Sequence, residues 1–196
     1  MSTYEELQDE SDEALMALCR EGYEQAFTAL YLRHKDAVVR FAGHMLRDRD
    51  EALDVFQDTF RYVFSKIPTY EPQARFTTLL FRVARSLCIN ILRKKRRVQY
   101  TDILDDTLPP PEEPDPGEEI DRRQATDALG RALQDLPEIY REVLLLRIGH
   151  QLAYEEIAEV VDCPLGTVKS RIHLGVQRLR IALGHLRKEA PKPGLW

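Results

Sequence analysis

The chain has 196 residues, of which 43% are apolar and 31% are charged, a composition that can form a folded core. No apolar stretch approaches the about 20 residues that a membrane-spanning helix needs, and the acidic N-terminus lacks the basic and apolar regions of a signal peptide. The sequence therefore predicts a cytoplasmic protein without membrane insertion. Three scattered cysteines (Cys19, Cys88 and Cys163) indicate neither a disulfide framework nor a zinc site.

The net charge of −5 is unevenly distributed along the chain. Residues 1–24 hold eight acidic residues and one basic residue, whereas residues 25–98 hold fifteen basic and seven acidic residues. Residues 99–121 hold nine acidic residues and no basic one, and residues 122–196 hold twelve basic and nine acidic residues. Two basic modules thus alternate with two acidic segments, and basic modules are typical of nucleic-acid partners.

The first module, residues 1–98, is predicted to be all-helical, because glycine and proline are scarce and apolar residues recur at helical spacing. One helix is predicted over about 51–66, with Pro68 closing it. A loop leads to a long amphipathic helix from about Phe76 to Arg97. The apolar stripe of that helix is predicted to consist of Leu80, Val83, Ala84, Leu87 and Ile91.

Residues 99–121 change in character, since prolines stand among nine acidic residues. Such a segment cannot bury a core and is predicted to be a flexible acidic linker. The second module, residues 122–187, is again predicted to be helical, and residues 188–196 a tail. The expected fold is therefore all-α, with two helical domains joined by the linker.

Within the second module, Pro137 is predicted to begin a helix that ends near Gly149. A short helix over Tyr154–Val161, a turn at Asp162 and a longer helix over Leu165–Leu183 have helix-turn-helix spacing. The outer face of the longer helix is basic and polar, and such side chains read base edges and phosphates. That face consists of Thr167, Lys169, Ser170, Arg171, His173, Leu174, Gln177 and Arg178. The alternative is an ordinary helical hairpin with a solvated basic side.

The long helix of the first module ends in five consecutive basic residues, Arg93 to Arg97, and Arg75, Arg82 and Arg85 precede them. Such a cluster neutralises phosphates without carrying sequence information. Nearby aromatic rings could stack on unpaired bases, although most of them are expected to lie in the core. These rings are Tyr62, Phe64, Tyr70, Phe76 and Phe81.

A third feature is a polar helix face formed by Asp54, Gln57 and Asp58, whose spacing of three and four residues places them together. From spacing alone, a solvated surface is the simplest interpretation. The segment 54–60 nevertheless resembles the polymerase-binding motif of bacterial sigma factors. The segments 136–147, 154–158 and 163–171 resemble the domain with which sigma factors read the upstream promoter element. With two modules and one linker, the chain is similar to the extracytoplasmic-function (ECF) group of the sigma-70 family.

This resemblance, over about residues 11–98 and 122–187, implies a factor that binds core RNA polymerase and directs promoter-specific transcription initiation. It implies that Asp54, Gln57 and Asp58 contact the clamp helices of the β′ subunit, and that the β flap is a further contact. It implies that the first module melts the minus-ten element through Arg75, Phe76, Arg82, Arg85, Ser86, Asn90 and Arg93. The eight residues of the helix-turn-helix face would read the minus-thirty-five element of promoter DNA.

The resemblance further implies an anti-sigma factor as a partner, no cofactor or metal, and no catalytic activity. Ala153 stands where this family has a serine or threonine cap, which is expected to cost about 1 kcal/mol. Gly175 within the recognition helix is expected to cost up to about 1 kcal/mol more. The acidic segments 1–24 and 99–121 are candidates for screening the basic modules within the same chain.

Two other functions remain open from the residues. One is a stand-alone helix-turn-helix regulator, which would bind duplex DNA without polymerase. The other is a nucleic-acid-processing enzyme that holds magnesium with a carboxylate cluster. The cluster would comprise Asp48, Asp50, Glu51, Asp54 and Asp58. The sequence contains no P-loop, zinc-protease, serine-hydrolase or dinucleotide-binding motif.

Overall fold

The computed structural model describes residues 7–70, 75–101 and 120–189, and within them the chain forms eight α-helices and no strand. The all-α prediction is confirmed. The first group of helices comprises α1 (Asp12–Arg20), α2 (Glu24–Leu46), α3 (Arg49–Lys66) and α4 (Phe76–Thr101). The second group comprises α5 (Ile120–Asp135), α6 (Glu138–Leu144), α7 (Tyr154–Val161) and α8 (Leu165–Glu189). A 3-10 turn, Ile67–Thr69, follows α3, and a π-helical turn, Leu145–Gly149, follows α6.

The helix ends follow local signals that the sequence contains. The side chain of Asp48 accepts hydrogen bonds from the N–H groups of Asp50 and Glu51 and thereby caps α3. Pro137 precedes the first residue of α6, as predicted. Asp162 ends α7 in the left-handed conformation, with φ 51° and ψ 56°, which aspartate tolerates better than most residues.

Two predicted helices are longer than expected. Helix α4 continues beyond Arg97 to Thr101, and α8 continues beyond Leu183 to Glu189. No proline or glycine interrupts residues 98–101, so nothing in the local sequence ends α4 at Arg97. The linker was predicted over residues 99–121, but its two ends are helical, because α4 continues to Thr101 and α5 begins at Ile120. Its remaining residues, 102–119, lie outside the described residues, as do the ends 1–6 and 190–196 and the loop residues 71–74.

The buried side of α4 is rotated from the predicted stripe. Val83, Leu87 and Ile91 are only partly buried, whereas Leu80 and Ala84 lie in the core as expected. The fully buried apolar residues of this helix are Phe76, Leu80, Phe81, Ala84 and Cys88. The rotation has a physical cause: α4 packs not only against α2 and α3 but also against α7 of the second group.

The two helical groups contact each other along α2 and α4. Arg141 of α6 is only 9% exposed, and its guanidinium donates hydrogen bonds of 3.3 Å to the carbonyl oxygens of His44 and Met45 in the last turn of α2. A cation at this position satisfies carbonyls that have no partner within the helix. A second contact is the ring of His150, whose centroid lies 4.3 Å from that of Phe81.

The contact between the groups is not uniformly packed. A cavity of about 190 Å³ lies between α2 and the second group, beside His44 and His150. Burial lowers the pKa of His150 to about 4, and the positive charge of Arg40 together with His34 and His44 adds to this effect. Burial also lowers the pKa of His44, with Arg141 and Arg40 as further causes. Both histidines therefore favour the neutral form in the contact.

We expect Gly175→Ala in α8 to destabilise the fold. A Cβ at this position would lie 2.9 Å from Leu144 Cδ1 and 3.2 Å from its Cγ, and Leu144 is fully buried in α6. Overpacking costs about 1–3 kcal/mol, which exceeds the gain of about 1 kcal/mol from replacing a helical glycine. Urea unfolding should show a net loss of about 1 kcal/mol.

The matched control is Gly166→Ala in the same helix, because a Cβ there would meet no heavy atom within 4 Å. This substitution should leave the free energy of unfolding unchanged or raise it by up to about 1 kcal/mol. Equal stabilisation by both substitutions would contradict the close approach of α8 to α6.

We expect acid to weaken the contact between the two groups. A free histidine has a pKa of 6.5, whereas that of His150 in the contact is about 4, so separated groups bind the proton more readily. The stabilisation from neutral His150 is thus present above about pH 6.5 and is lost as the pH falls toward 4, by up to about 3 kcal/mol. His44 acts in the same direction.

Small-angle X-ray scattering between about pH 7.5 and pH 5 should therefore show the radius of gyration rising in acid. His150→Gln removes this titrating group, so its radius should depend less on pH. An identical pH response in both proteins would exclude His150 as a source of the effect.

Candidate polymerase and nucleic-acid interfaces

Helix α3 carries the predicted polymerase-binding residues on its solvent side. Asp54 and Gln57 are exposed, and the carboxylate of Asp58 forms an ion pair of 2.8 Å with Arg61. The opposite side of the helix anchors it in the core through Ala52, Val55, Phe56, Thr59, Phe60 and Val63. The three polar residues therefore share one accessible surface.

An aromatic residue extends this surface beyond the predicted set. Phe64 is 63% exposed, lies seven residues after Gln57 and contacts the ring of Phe27, with centroids 5.3 Å apart. An exposed large aromatic ring is an uncommon feature that typically marks an interaction site. Its helical spacing from Gln57 is the sequence signal that could have identified it.

Helix α4 carries a polar stripe on its exposed side. Arg82, Ser86, Asn90 and Arg93 are all exposed, and their spacing of four, four and three residues places them on one side. The stripe continues into a groove of about 480 Å³ that is lined by Asn90, Arg93, Lys94, Arg96 and Arg97. This groove offers several cations to a chain of phosphates.

Phe76, which was predicted to belong to the minus-ten DNA-binding residues, does not lie on this exposed surface. Its side chain is fully buried, and its ring centroid lies 5.4 Å from that of His34. The N–H of Phe76 donates to the carboxylate of Glu13 at 3.1 Å, which fixes the start of α4. Because Phe76 lies in the first turn of α4, its ring points into the core. Phe81 is also buried, so neither ring can stack on a base in this structure.

Arg75 and Arg85, which were also predicted to contact DNA, are paired with glutamates of the second group. Arg75 Nε lies 3.4 Å from Glu156 Oε1, and Arg85 Nε donates to Glu142 Oε2 at 2.7 Å. Arg171 of α8 donates to the other oxygen of Glu142 at 3.3 Å. One carboxylate, only 2% exposed, thus holds an arginine from each predicted DNA surface.

The electrostatics of Glu142 reflect its burial. Burial raises the pKa of its carboxyl group above the usual range, while the hydrogen bond from Arg85 and the charges of Arg85 and Arg171 oppose this shift. A buried carboxylate with two arginine partners is a compensated charge. Neither arginine is therefore free to bind a phosphate while this arrangement persists.

Helices α7 and α8 form the predicted helix-turn-helix. Ile157 and Val168 are fully buried between the two helices, and Ile172 and Leu179 continue this core. Ala153 precedes α7 without a side-chain cap, as the sequence indicates. Its N–H nevertheless donates to Glu156 Oε2 at 2.6 Å, so half of a capping box is present and offsets part of the expected cost.

Most of the predicted recognition face of α8 is accessible. Thr167 and Arg171 are half-buried, and Arg178 stacks on the ring of Tyr140, 4.9 Å from its centroid. The exposed members of the face are Lys169, Ser170, His173, Leu174, Gln177 and Arg178. Gly175 faces α6 and allows the close approach described above.

Three of the five carboxylates of the magnesium alternative have other partners in this structure. Asp48 caps α3, Glu51 binds Lys95 at 2.6 Å, and Asp58 pairs with Arg61. In the part of the chain that the structure describes, no cluster of three or more histidine, cysteine or carboxylate side chains could hold a metal ion. Among the same residues, no helix is long and apolar enough to cross a membrane.

Comparisons with known proteins assign this chain to a family. Residues 30–98 match the family described as Sigma-70 region 2, and residues 126–179 match the family described as Sigma-70, region 4. The chain is 30% identical to the RNA polymerase sigma-H factor of Pseudomonas aeruginosa, over 94% of this chain and all of that protein. It is 32% identical to the ECF RNA polymerase sigma factor RpoE of Cereibacter sphaeroides, over 85% of this chain and 92% of that protein.

A solved structure gives the same assignment. The sigma factor RpoE of Bartonella quintana, in complex with the anti-sigma factor NepR, aligns with a TM-score of 0.67 and 25% identity. The alignment covers 81% of this chain and 96% of that one. Since both family regions occur in the expected order and the relatives match over nearly their whole lengths, the chain belongs to the ECF group of the sigma-70 family of RNA polymerase sigma factors.

Proposed function

We propose that this protein binds core RNA polymerase through the exposed side of α3 and directs it to promoters through α4 and α8. The observation that carries this proposal is the joint placement of Asp54, Gln57 and Asp58 on a solvent-facing surface. Asp54 and Gln57 have no ion-pair or hydrogen-bond role in the described part of the chain that would explain their exposure. We propose the β′ clamp helices as the partner of this surface and the β flap as a contact of the second group.

The two basic surfaces, on α4 and α8, would bind different parts of the promoter. Residues 1–98 would bind polymerase and melt the minus-ten element through Arg82, Ser86, Asn90 and Arg93, together with Arg75 and Arg85 once these are released. Residues 122–187 would read the minus-thirty-five element as duplex through the recognition face of α8. A base-edge contact from this face contributes discrimination, whereas the phosphate contacts of α4 position the DNA.

The protein would supply binding energy and no reaction step, so catalysis would belong to the polymerase. It would act in the cytoplasm, where polymerase and DNA are found. We propose an anti-sigma factor as a regulator, by analogy with the solved relative, which is in complex with one. A stand-alone helix-turn-helix regulator is less favoured, because it does not account for the region 2 match over residues 30–98.

Run-off transcription with core polymerase on a library of randomised promoters tests the proposal. We expect initiation from a defined subset of sequences, and only when the protein is present. Gln177→Ala should relax the selected upstream element, because a lost base contact costs about 1–3 kcal/mol of discrimination. Asn90→Ala should change the selected downstream element and leave the upstream one as it is.

Lys169→Ala is the control for α8, since loss of a phosphate contact should weaken binding to all sequences about equally. Initiation that does not depend on the protein would refute the proposed function. If Asn90→Ala instead changed the selected upstream element, the assignment of α4 to the downstream element and of α8 to the upstream element would be refuted.

We expect Asp54→Ala to weaken assembly with core polymerase about tenfold, because a hydrogen bond to a charged group contributes about 1.5 kcal/mol or more. Asp54 is exposed, so the free energy of unfolding should remain within about 0.5 kcal/mol of the wild type. Fluorescence anisotropy of the labelled protein with core polymerase measures the affinity.

Asp36→Ala provides a matched control, since Asp36 is an exposed carboxylate on α2 that lies outside the α3 surface. Its affinity for polymerase should match that of the wild type. An equal loss with both substitutions would indicate a general charge effect and count against the α3 surface.

A further inference from the structure

The cavity of about 190 Å³ between α2 and the second group has an apolar lining to which both groups contribute. Phe41 of α2 lines it from the first group. Leu133 of α5, Leu144 of α6 and Leu179 of α8 line it from the second group. An apolar cavity of about 150 Å³ can bind benzene. The space is therefore suited to a small apolar body about as large as one aromatic ring.

Two large apolar side chains at the edge of this cavity are exposed to solvent. Leu129 of α5 is 37% exposed and Ile148 of the π-helical turn is 60% exposed, and both line the cavity. Exposed apolar side chains beside a concave surface typically mark a binding site. A π-helical turn is rare and also occurs frequently at functional sites. A ligand in the cavity would remove this apolar surface from water.

Three nitrogen-bearing side chains complete the lining, and none of them has a hydrogen-bond or ion-pair partner among the described residues. They are Arg40 and His44 of α2 and His150, which follows the π-helical turn. The described residues of the lining include no carboxylate. A guanidinium and two imidazole rings are thus available to donate to an acceptor that enters from solvent.

The charge of this lining is that of a single cation. Burial lowers the pKa of His150 to about 4, with the positive charge of Arg40 as the next cause. Burial also lowers the pKa of His44, with Arg141 and Arg40 as further causes. Both rings are therefore neutral near pH 7, and Arg40 lies close enough to influence each of them. One guanidinium matches one carboxylate, whereas it would repel a metal ion held by the two histidines.

We propose that this cavity binds a small apolar monocarboxylate, whose carboxylate accepts hydrogen bonds from Arg40, His44 and His150 while its hydrocarbon part fills the apolar space. The inference goes beyond the proposed function, because none of the residues assigned to polymerase or to DNA lines the cavity. Since both groups contribute to the lining, the ligand also stabilises the contact between them by its own binding free energy.

Three small molecules test the chemistry of the site. Benzoate has a ring and a carboxylate, benzyl alcohol has the ring without the charge, and acetate has the charge without the ring. NMR titration of the full chain near pH 7 measures their affinities. We expect benzoate to bind with a Kd on the order of 0.1–1 mM. It should bind about tenfold more tightly than benzyl alcohol or acetate, because it alone combines both contacts.

Equal affinities for benzoate and benzyl alcohol would overturn the assignment of a carboxylate ligand. The absence of saturable benzoate binding would overturn the site altogether and leave a cavity that holds only water.

A pair of matched variants tests the role of Arg40. Arg40→Gln and Lys35→Gln each remove one positive charge from an exposed position of α2, but Lys35 does not line the cavity. We expect Arg40→Gln to weaken benzoate binding about tenfold and to leave benzyl alcohol binding unchanged. Lys35→Gln should bind both molecules as the wild type does. An equal loss of benzoate affinity in both variants would indicate a general charge effect and contradict the site.

The position of bound benzoate can be measured in the wild-type chain, without any substitution. Leu144 is fully buried and Leu179 is 6% exposed, and both line the cavity. We expect nuclear Overhauser contacts between the ring protons of benzoate and the methyl groups of both leucines. Contacts with exposed side chains alone would show that benzoate binds outside the cavity and would overturn the proposal.

Small-angle scattering tests whether the ligand stabilises the contact between the groups. At about pH 5, where acid is expected to raise the radius of gyration, benzoate at about ten times its Kd should lower that radius. Acetate at the same concentration provides the control for ionic strength. Equal radii in benzoate and acetate would contradict a ligand that is held by both groups.

Discussion

The contact between the two helical groups depends on one pair of adjacent charged residues, Arg141 and Glu142, which are 9% and 2% exposed. Removing a charge from water costs several kcal/mol unless partners replace the lost hydration. Here the partners come from both groups. Arg141 donates to carbonyl oxygens at the end of α2 and to that of Leu136 in the second group. Glu142 accepts from Arg85 of the first group and from Arg171 of the second. Water would solvate both residues again on separation, so the pair contributes little net attraction. It instead restricts docking to the geometry in which both charges are compensated.

A contact of this kind is suited to reversible closure. The groups belong to one chain, and an intramolecular partner acts at an effective concentration in the millimolar range, so an interface of about 4 kcal/mol is enough to keep half of the molecules closed. The largely exposed pairs of Arg75 and Arg96 contribute at most about 1 kcal/mol each. The cavity of about 190 Å³ and the buried Arg141 Nε, which lacks a hydrogen-bond partner, show that packing is incomplete. Polymerase and DNA can therefore compete with this interface.

The sequence predicted those features that depend on neighbours in the chain. Pro137 and Asp162 mark helix boundaries through their own backbone preferences, and the spacing of Asp54, Gln57 and Asp58 defines a helix face without tertiary information. The buried position of Phe76 and the pairing of Arg85 could not be predicted in this way, because both depend on which distant helix packs against α4. Summing charge by segment also concealed the acidic side of the second group. The net charge of the second group is positive, although the group combines a basic recognition face on α8 with glutamates on α6 and α7 that lie on a different side.

The contact between the groups covers the three proposed functional surfaces unequally. The polar side of α3, most of the recognition face of α8 and the polar stripe of α4 are exposed in this arrangement, whereas Arg75, Arg85 and Arg96 of the α4 region are paired with glutamates. Polymerase could therefore dock on the proposed surface of α3, and α8 could approach duplex DNA, without separation of the groups. A single strand would reach the exposed stripe of α4 but not Arg85, whose guanidinium is held by Glu142. Contact of a melted strand with every arginine of the α4 region would require separation of the groups.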